Sequence, residues 1–335
     1  MAGKSEPIAA EHVAIHPKAG QFKLVLLAVI LAGLLLAPQF LYPIFLMKLL
    51  AFGLFAAAFN LLLGYTGLLS FGHAAFFGGA AYFTAHAVKV WGWTPEAGIL
   101  LGVVGAAALG LVMGAIAIRR QGIYFAMITL ALSQMFFFFC LQASFTHGED
   151  GIQSVPRGRL FGIFDLSQTM TMYYFVLAVF LAGFALIHRT IHSPFGQVLK
   201  AIRENEPRAV SLGYKVDQYK LTAFVMSAAL AGLAGGTKAI VFQLASLTDI
   251  TWQMSGEVVL MTLLGGLGTI FGPVVGAFLV VTLQNYLATS NFPVTVVTGV
   301  IFMICCLTFR RGIIGEIYNS RLFKGRAAKA PHAGH

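Results

Sequence analysis

The chain has 335 residues, of which 58% are hydrophobic, 13% aromatic and only 10% charged, and its mean hydropathy is +0.83. Soluble domains carry roughly a quarter of charged residues, so a water-soluble globular fold is excluded. A net charge of +10 would suit a nucleic-acid binder, but in a membrane chain Lys and Arg mark cytoplasmic loops, so location decides between the two.

In chain order, residues 1–20 read as a polar cytoplasmic tail. The apolar run that follows is too long for a signal-peptide core and lacks a clear cleavage site, so it is expected to stay as the first span. At about 20 apolar residues per crossing, ten candidate spans follow, at 22–41, 43–64, 67–88, 97–118, 122–142, 170–188, 218–241, 255–271, 273–290 and 293–309. The expected class is all-α, a polytopic transmembrane helical bundle of about 10 spans. Its membrane domain is read as 21–309, with a basic tail at 310–335. With both termini cytoplasmic, Arg119, Arg120, Arg189, Lys200, Arg203, Arg208, Arg310 and Arg311 all fall inside, while Glu96, Glu149, Asp150, Asp165 and Asp249 fall outside. Lys48 and Lys238 stand near outer span ends, where a long side chain can snorkel to the interface. The charge therefore encodes orientation and not nucleic-acid binding.

Segments 67–88 and 255–271 are rich in glycine, which marks them for a break or a re-entrant turn covered by protein. The pairs Gly98/Gly102, Gly110/Gly114, Gly232/Gly236, Gly268/Gly272 and Gly272/Gly276 have the spacing that lets helix backbones approach closely in lipid. Cys140, Cys305 and Cys306 lie in apolar runs with no CxxC, so neither a disulfide framework nor a metal site is expected.

Residues 189–220 form the longest internal connection, and they read as two short helices. Ser193 suits the cap of a helix opened by Pro194; Asn205 suits the cap of a second, with Glu206 and Pro207 in its first turn and Gly213 as the left-handed residue that ends it. The apolar side chains of Val198, Ile202, Ala209, Val210 and Leu212 need a partner, and Arg203, Glu204 and Arg208 offer a polar rim. From the residues alone, that partner is either a protein or the lipid headgroups beneath an interfacial helix.

NLLLGYTGLLSFGHAAFFGGAAY (60–82), SPFGQVLKAIRENEPRAVSLGY (193–214) and MTLLGGLGTIFGPVVGA (261–277) resemble the LivM-type permease of bacterial branched-chain amino acid ABC importers. The likeness runs over roughly residues 40–310 in matching order. It implies a multi-pass protein of the bacterial inner membrane that pairs with a second, LivH-type permease. Two cytoplasmic ABC ATPase subunits would drive the pair, and a periplasmic solute-binding protein would feed it. It also implies that the 193–214 helices couple to the ATPase, through Val198, Ile202, Arg203, Glu204, Glu206, Arg208, Ala209, Leu212 and Gly213. In many ABC importers this element begins with a glutamate followed by two alanines and a glycine. Here Pro207, Arg208 and Ala209 stand before Gly213, with Glu206 one place early.

No GxxxxGK[ST] occurs, so ATP is expected on partner subunits and no cofactor on this chain. HExxH, GxSxG and paired carboxylates are also absent, so the chain does not read as an enzyme. Candidate pathway residues are Asn60, Ser70, His73, Thr129, Gln134, Glu257 and Thr262, each of which has the alternative of bonding a neighbouring helix. His73 stands out as an ionisable residue at membrane depth; its bland alternative is a neutral imidazole bonded to a backbone carbonyl of the glycine-rich turn. Few buried carboxylates argue against a proton- or sodium-driven carrier; a stand-alone channel or secondary carrier is the rival from another class, and it would pass solute without any ATPase. A urea or short-chain amide importer is the alternative within the same architecture.

Overall fold

The computed structural model describes residues 32–288 and, beyond them, 296–297, 299–300, 303–304 and 312–314. Residues 22–31 of the expected first span, most of the tenth, the N-terminal tail, most of the C-terminal tail, and Cys305 and Cys306 lie outside the described residues. The chain divides into two compact units at Tyr42 and Pro43. In the first unit, residues 32–40 are helical (α1). The second holds α2 (Pro43–Thr66), α3 (His73–Lys89), α4 (Pro95–Ala117), α5 (Ile123–Gln142), α6 (Thr169–His192), α7 (Pro194–Glu204), α8 (Glu206–Ser211), α9 (Val216–Phe242), α10 (Trp252–Gly265) and α11 (Gly272–Leu287).

Among the described residues, α2, α4, α5, α6 and α9 are long and apolar enough to cross a membrane, whereas α11 is apolar but shorter. The expected span at 67–88 begins its helix only at His73, and that at 255–271 leaves the helix after Gly265. Both glycine-rich segments are therefore interrupted, and the interruptions lie at residues 67–72 and 266–271.

The bundle is built around α2 and α9. Of the most apolar stretch of α2, 89% is buried, against 28% for α5. α9 packs along α2, α3 and α4, and α10 and α11 pack on each other and on α2. The small-residue spacing marks real crossings on α4 and α9, whereas Gly268 lies in the turn before α11, so the expected pair Gly268/Gly272 is not a helix contact. A methyl group on Gly102 would come within 2.9 Å of the Ala80 carbonyl, and one on Gly98 within 2.6 Å of Val88. Without hydrophobic drive between helices in lipid, such backbone approach supplies the packing.

The expectation of a purely helical chain is modified at one end of the bundle. Ile152–Gln153 (β1) pairs antiparallel with Leu244–Ala245 (β4), and Arg159–Leu160 (β2) pairs with Phe164–Asp165 (β3). The first ladder is backed by buried Tyr82, Cys140, Ile152, Val155, Ala245 and Ile250. Arg157 donates to the Val241 carbonyl at 3.0 Å. Two connections far apart in sequence thus share one small core. The Ser167 backbone N–H bonds Asp165 Oδ1 at 2.9 Å and holds that exposed carboxyl below the usual carboxylate range.

Candidate functional site

The α7–α8 pair forms as its caps dictate. Ser193 Oγ accepts from the Gly196 N–H at 3.3 Å, and Asn205 Oδ1 accepts from the Arg208 N–H at 3.1 Å. Each side chain satisfies one of the backbone donors that a helix start leaves free. Gly213 follows α8 with φ +87°, a conformation that costs an L side chain about 1–2 kcal/mol.

Several residues of this pair are already engaged within the chain. Ile202 and Ala209 are buried with Val216 against Val198 and Tyr219. Glu206 Oε1 pairs with the Lys220 ammonium at 2.6 Å and accepts from Gln121 at 2.9 Å. Glu204 and Arg208 are exposed. The apolar side chains left uncovered are Val210 at 57% and Leu212 at 70% exposure. By sequence, Ile202 and Ala209 need a partner. Their cover comes from the start of α9, and the apolar period of α7 gave no sign of which neighbour would supply it.

Arg203 is placed differently again. Its guanidinium donates to the Gly64 carbonyl in the last turn of α2. One turn back on α7, the Lys200 ammonium lies 5.8 Å from the centre of the Tyr65 ring. Helix α7 is thereby fixed to the end of α2 by two cations.

The interruption that follows α2 is covered by protein. The Phe71 N–H donates to Thr129 Oγ1 on α5 at 3.2 Å, and the Gly72 N–H donates to Ser70 Oγ at 3.2 Å. The Ala74 N–H at the start of α3 donates to Ser255 Oγ on α10 at 3.0 Å. Backbone that leaves a helix at membrane depth has to find such partners. Ser255 was not among the candidates from sequence, and nothing local marks it.

The second interruption is held by Asn60 from α2 and by its own Thr269, whose hydroxyl donates to the Gly266 carbonyl at 2.7 Å and accepts from the Gly272 N–H at 3.1 Å. Asn60 Oδ1 accepts from the Gly268 N–H at 3.0 Å, and Asn60 Nδ2 donates to the Thr269 carbonyl at 2.8 Å. The amide thus satisfies a donor that a continuing helix would have bonded, and an acceptor that Pro273, lacking an N–H, could not have served. Gly266 and Gly268, at φ +118° and +72°, supply the turn.

The remaining candidates separate by environment. His73 is fully buried and bonds Ser227 Oγ at 2.8 Å, so its partner is a hydroxyl on α9 and not the carbonyl of the glycine-rich turn. Thr262 Oγ1 donates to the Val258 carbonyl at 2.8 Å. Gln134 is half-buried on α5. Glu257, also half-buried, has Gln284 of α11 and Lys48 of α2 as electrostatic neighbours. Lys238 forms an ion pair with Asp249 at 2.5 Å. The structure therefore ties Asn60, Ser70 and Thr129 to the interruptions, and leaves Gln134 and Glu257 partly open.

The family model for the branched-chain amino acid transport system permease component matches residues 41–307, nearly all of the bundle. The chain belongs to this family. The high-affinity branched-chain amino acid transport system permease protein LivM of Escherichia coli (strain K12) is 28% identical over 302 residues, covering 82% of this chain and 70% of that protein. The probable branched-chain amino acid transport permease protein LivM of Methanocaldococcus jannaschii is 25% identical over 300 residues, with 76% and 85% covered. The ribose import permease protein RbsC of Bacillus subtilis is 31% identical over 175 residues, 48% of this chain and 50% of that one. This permease is a multi-pass helical membrane protein and a component of a branched-chain amino acid ABC transport system. Such relatives are transport components and not enzymes.

Proposed function

We propose that this permease is one of two membrane subunits of an importer in a bacterial inner membrane, with about ten spans and both termini cytoplasmic. Its membrane domain runs over 21–309, between tails at 1–20 and 310–335. A second, LivH-type permease completes the pair, a periplasmic binding protein delivers the branched-chain amino acid, and two cytoplasmic ATPases dock on α7 and α8. ATP stays on those ATPases, and this chain carries no cofactor and no catalytic group. ATP binding shifts the population between inward- and outward-facing bundles through the α7–α8 element, because the docked ATPases contact it differently in the two states. Gln134 and Glu257 are the candidate pathway residues with polar groups still partly open to a solute.

One observation carries this reading. The apolar face of α7 is buried in its own chain, and the uncovered apolar residues gather at Val210 and Leu212, beside the turn into α9. An interfacial helix resting on lipid would present a long apolar stripe of its own. A compact, capped tip suits insertion into a protein cleft.

The test is co-purification and transport. Co-expressed with its ATPases and second permease, the wild-type chain retains the ATPases through purification and, given binding protein, takes up leucine with ATP. Leu212→Asp is expected to lower ATPase retention about tenfold, the equivalent of 1.4 kcal/mol, with unchanged yield of folded permease. Uptake without any ATPase, or full retention by Leu212→Asp, overturns the reading.

A further inference from the structure

The Arg203 guanidinium stands where three pieces of backbone meet: the last turn of α2, the interruption after it, and the interruption between α10 and α11. It bonds the Gly64 carbonyl. A methyl group on Gly67 would lie 3.3 Å from its Cγ, and one on Gly268 would lie 3.1 Å from its Nη1. Gly268 is in turn held by Asn60, which sits on α2 one turn before Gly64. A methyl group on Gly64 would come within 2.8 Å of the Gly268 nitrogen. Between Gly64 and Gly268 the two backbones leave no room for a side chain.

The physics favours an arginine here. The carbonyls ending a helix carry partial negative charge, and a cation beside them is stabilised. A charge-assisted hydrogen bond is strong and strongly directional, so a displacement of α7 by an ångström or two is enough to break it. The glycines on either side have backbone conformations that can reset once the bond is lost.

We propose that Arg203 is the positioning residue that links the coupling helix α7 to the two interrupted segments, latching 67–72 and 266–271 in the arrangement seen and releasing them when α7 shifts. The inference rests on the reading of α7 and α8 as the element that an ATPase moves. Arg203 is itself exposed, like Glu204 and Arg208; what sets it apart is that its guanidinium reaches the Gly64 carbonyl of α2.

The test uses the complete importer, with both permeases, the ATPases and the binding protein, in vesicles where leucine uptake and ATP hydrolysis are measured together. Arg203→Gln is expected to lower leucine moved per ATP about tenfold, the loss of one charged hydrogen bond, while basal ATP hydrolysis and the amount of assembled complex stay within about twofold. Arg203→Lys, which keeps the charge near the carbonyl, is expected to recover part of the coupling. Asn60→Ala is expected to give the same uncoupling with Arg203 intact. If uptake, hydrolysis and assembly fall together in Arg203→Gln, the role is merely structural and the inference is overturned. Full coupling in Arg203→Gln also overturns it, alone. If the wild-type assembly moves no leucine with ATP, the reading under Proposed function falls and takes this inference with it.

Discussion

His73 Nε2 lies 2.8 Å from Ser227 Oγ, and Ser227 Oγ donates to the Ala58 carbonyl at 2.6 Å. The hydroxyl has a single proton and gives it to the carbonyl, so the imidazole donates from Nε2 and leaves Nδ1 bare. Nδ1 has no hydrogen-bond partner among the described residues, which agrees with that tautomer. Phe59, Phe76 and Phe224 surround the ring edge to face. Ser227→Ala strands a buried N–H donor and is expected to cost about 1–3 kcal/mol, read as a lower unfolding temperature of the purified protein. Adding His73→Leu removes the stranded donor, so the double variant should unfold later than Ser227→Ala alone. An earlier unfolding of the double variant would contradict the arrangement.

The ion pair between Lys238 and Asp249 is nearly closed off, with side chains 12% and 4% exposed. Removing one partner of such a pair leaves an uncompensated charge, a loss of about 3–5 kcal/mol. Lys238→Met is expected to show it in thermal unfolding. Lys238→Met combined with Asp249→Leu is expected to lose markedly less, and equal losses would show that the pair is not coupled.

Gly235 on α9 faces the backbone of α3. A methyl group there would sit 1.9 Å from the Phe77 carbonyl oxygen, whereas one on Gly256 in α10 meets nothing within 4 Å. Gly235→Ala must push two helices apart and is expected to destabilise by about 1–3 kcal/mol. Gly256→Ala should instead gain up to about 1 kcal/mol from reduced chain freedom. Unfolding of the two variants side by side decides the matter, and equal effects would refute the close crossing.

Nothing lies within 4 Å of a methyl group placed on Gly213, so its φ of +87° alone limits substitution. Gly213→Val is expected to spoil the turn between α8 and α9 and to uncouple uptake from ATP hydrolysis in reconstituted vesicles. Gly213→Asn, a residue that tolerates the left-handed region, should transport close to wild type. If both variants behave alike, the turn has no part in coupling.

Local chemistry was legible in the chain and long-range pairing was not. The caps at Ser193 and Asn205, the turn at Gly213 and the two interrupted segments follow from residue types within a few positions of one another. The hydroxyls and amides at membrane depth, such as Asn60 and Thr129, were visible as candidates. Their partners were not, because Asn60 meets Gly268 across 208 residues and Thr129 meets Phe71 across 58. Neither distance leaves a trace in hydropathy or helical period. The β1–β4 ladder escaped for the same reason: two residues on each side are too few to alternate. Lys238 read as a snorkelling end residue until Asp249, from a connection with no periodicity, proved to be its counter-ion.

The burial of α2 bears on how the molecule is made. Val216, where α9 begins, follows Thr66 by 150 residues, so at cellular elongation rates α2 leaves the ribosome roughly 10 s before the helix that will enclose it. During that interval it can gain only part of its cover, from α6 and α7 and from Phe77 of α3, which stacks on Phe55. An apolar sequence lets α2 rest in lipid until the rest of its cover arrives, and Asn60 waits longer still for its backbone partner, since Gly268 follows it by 208 residues.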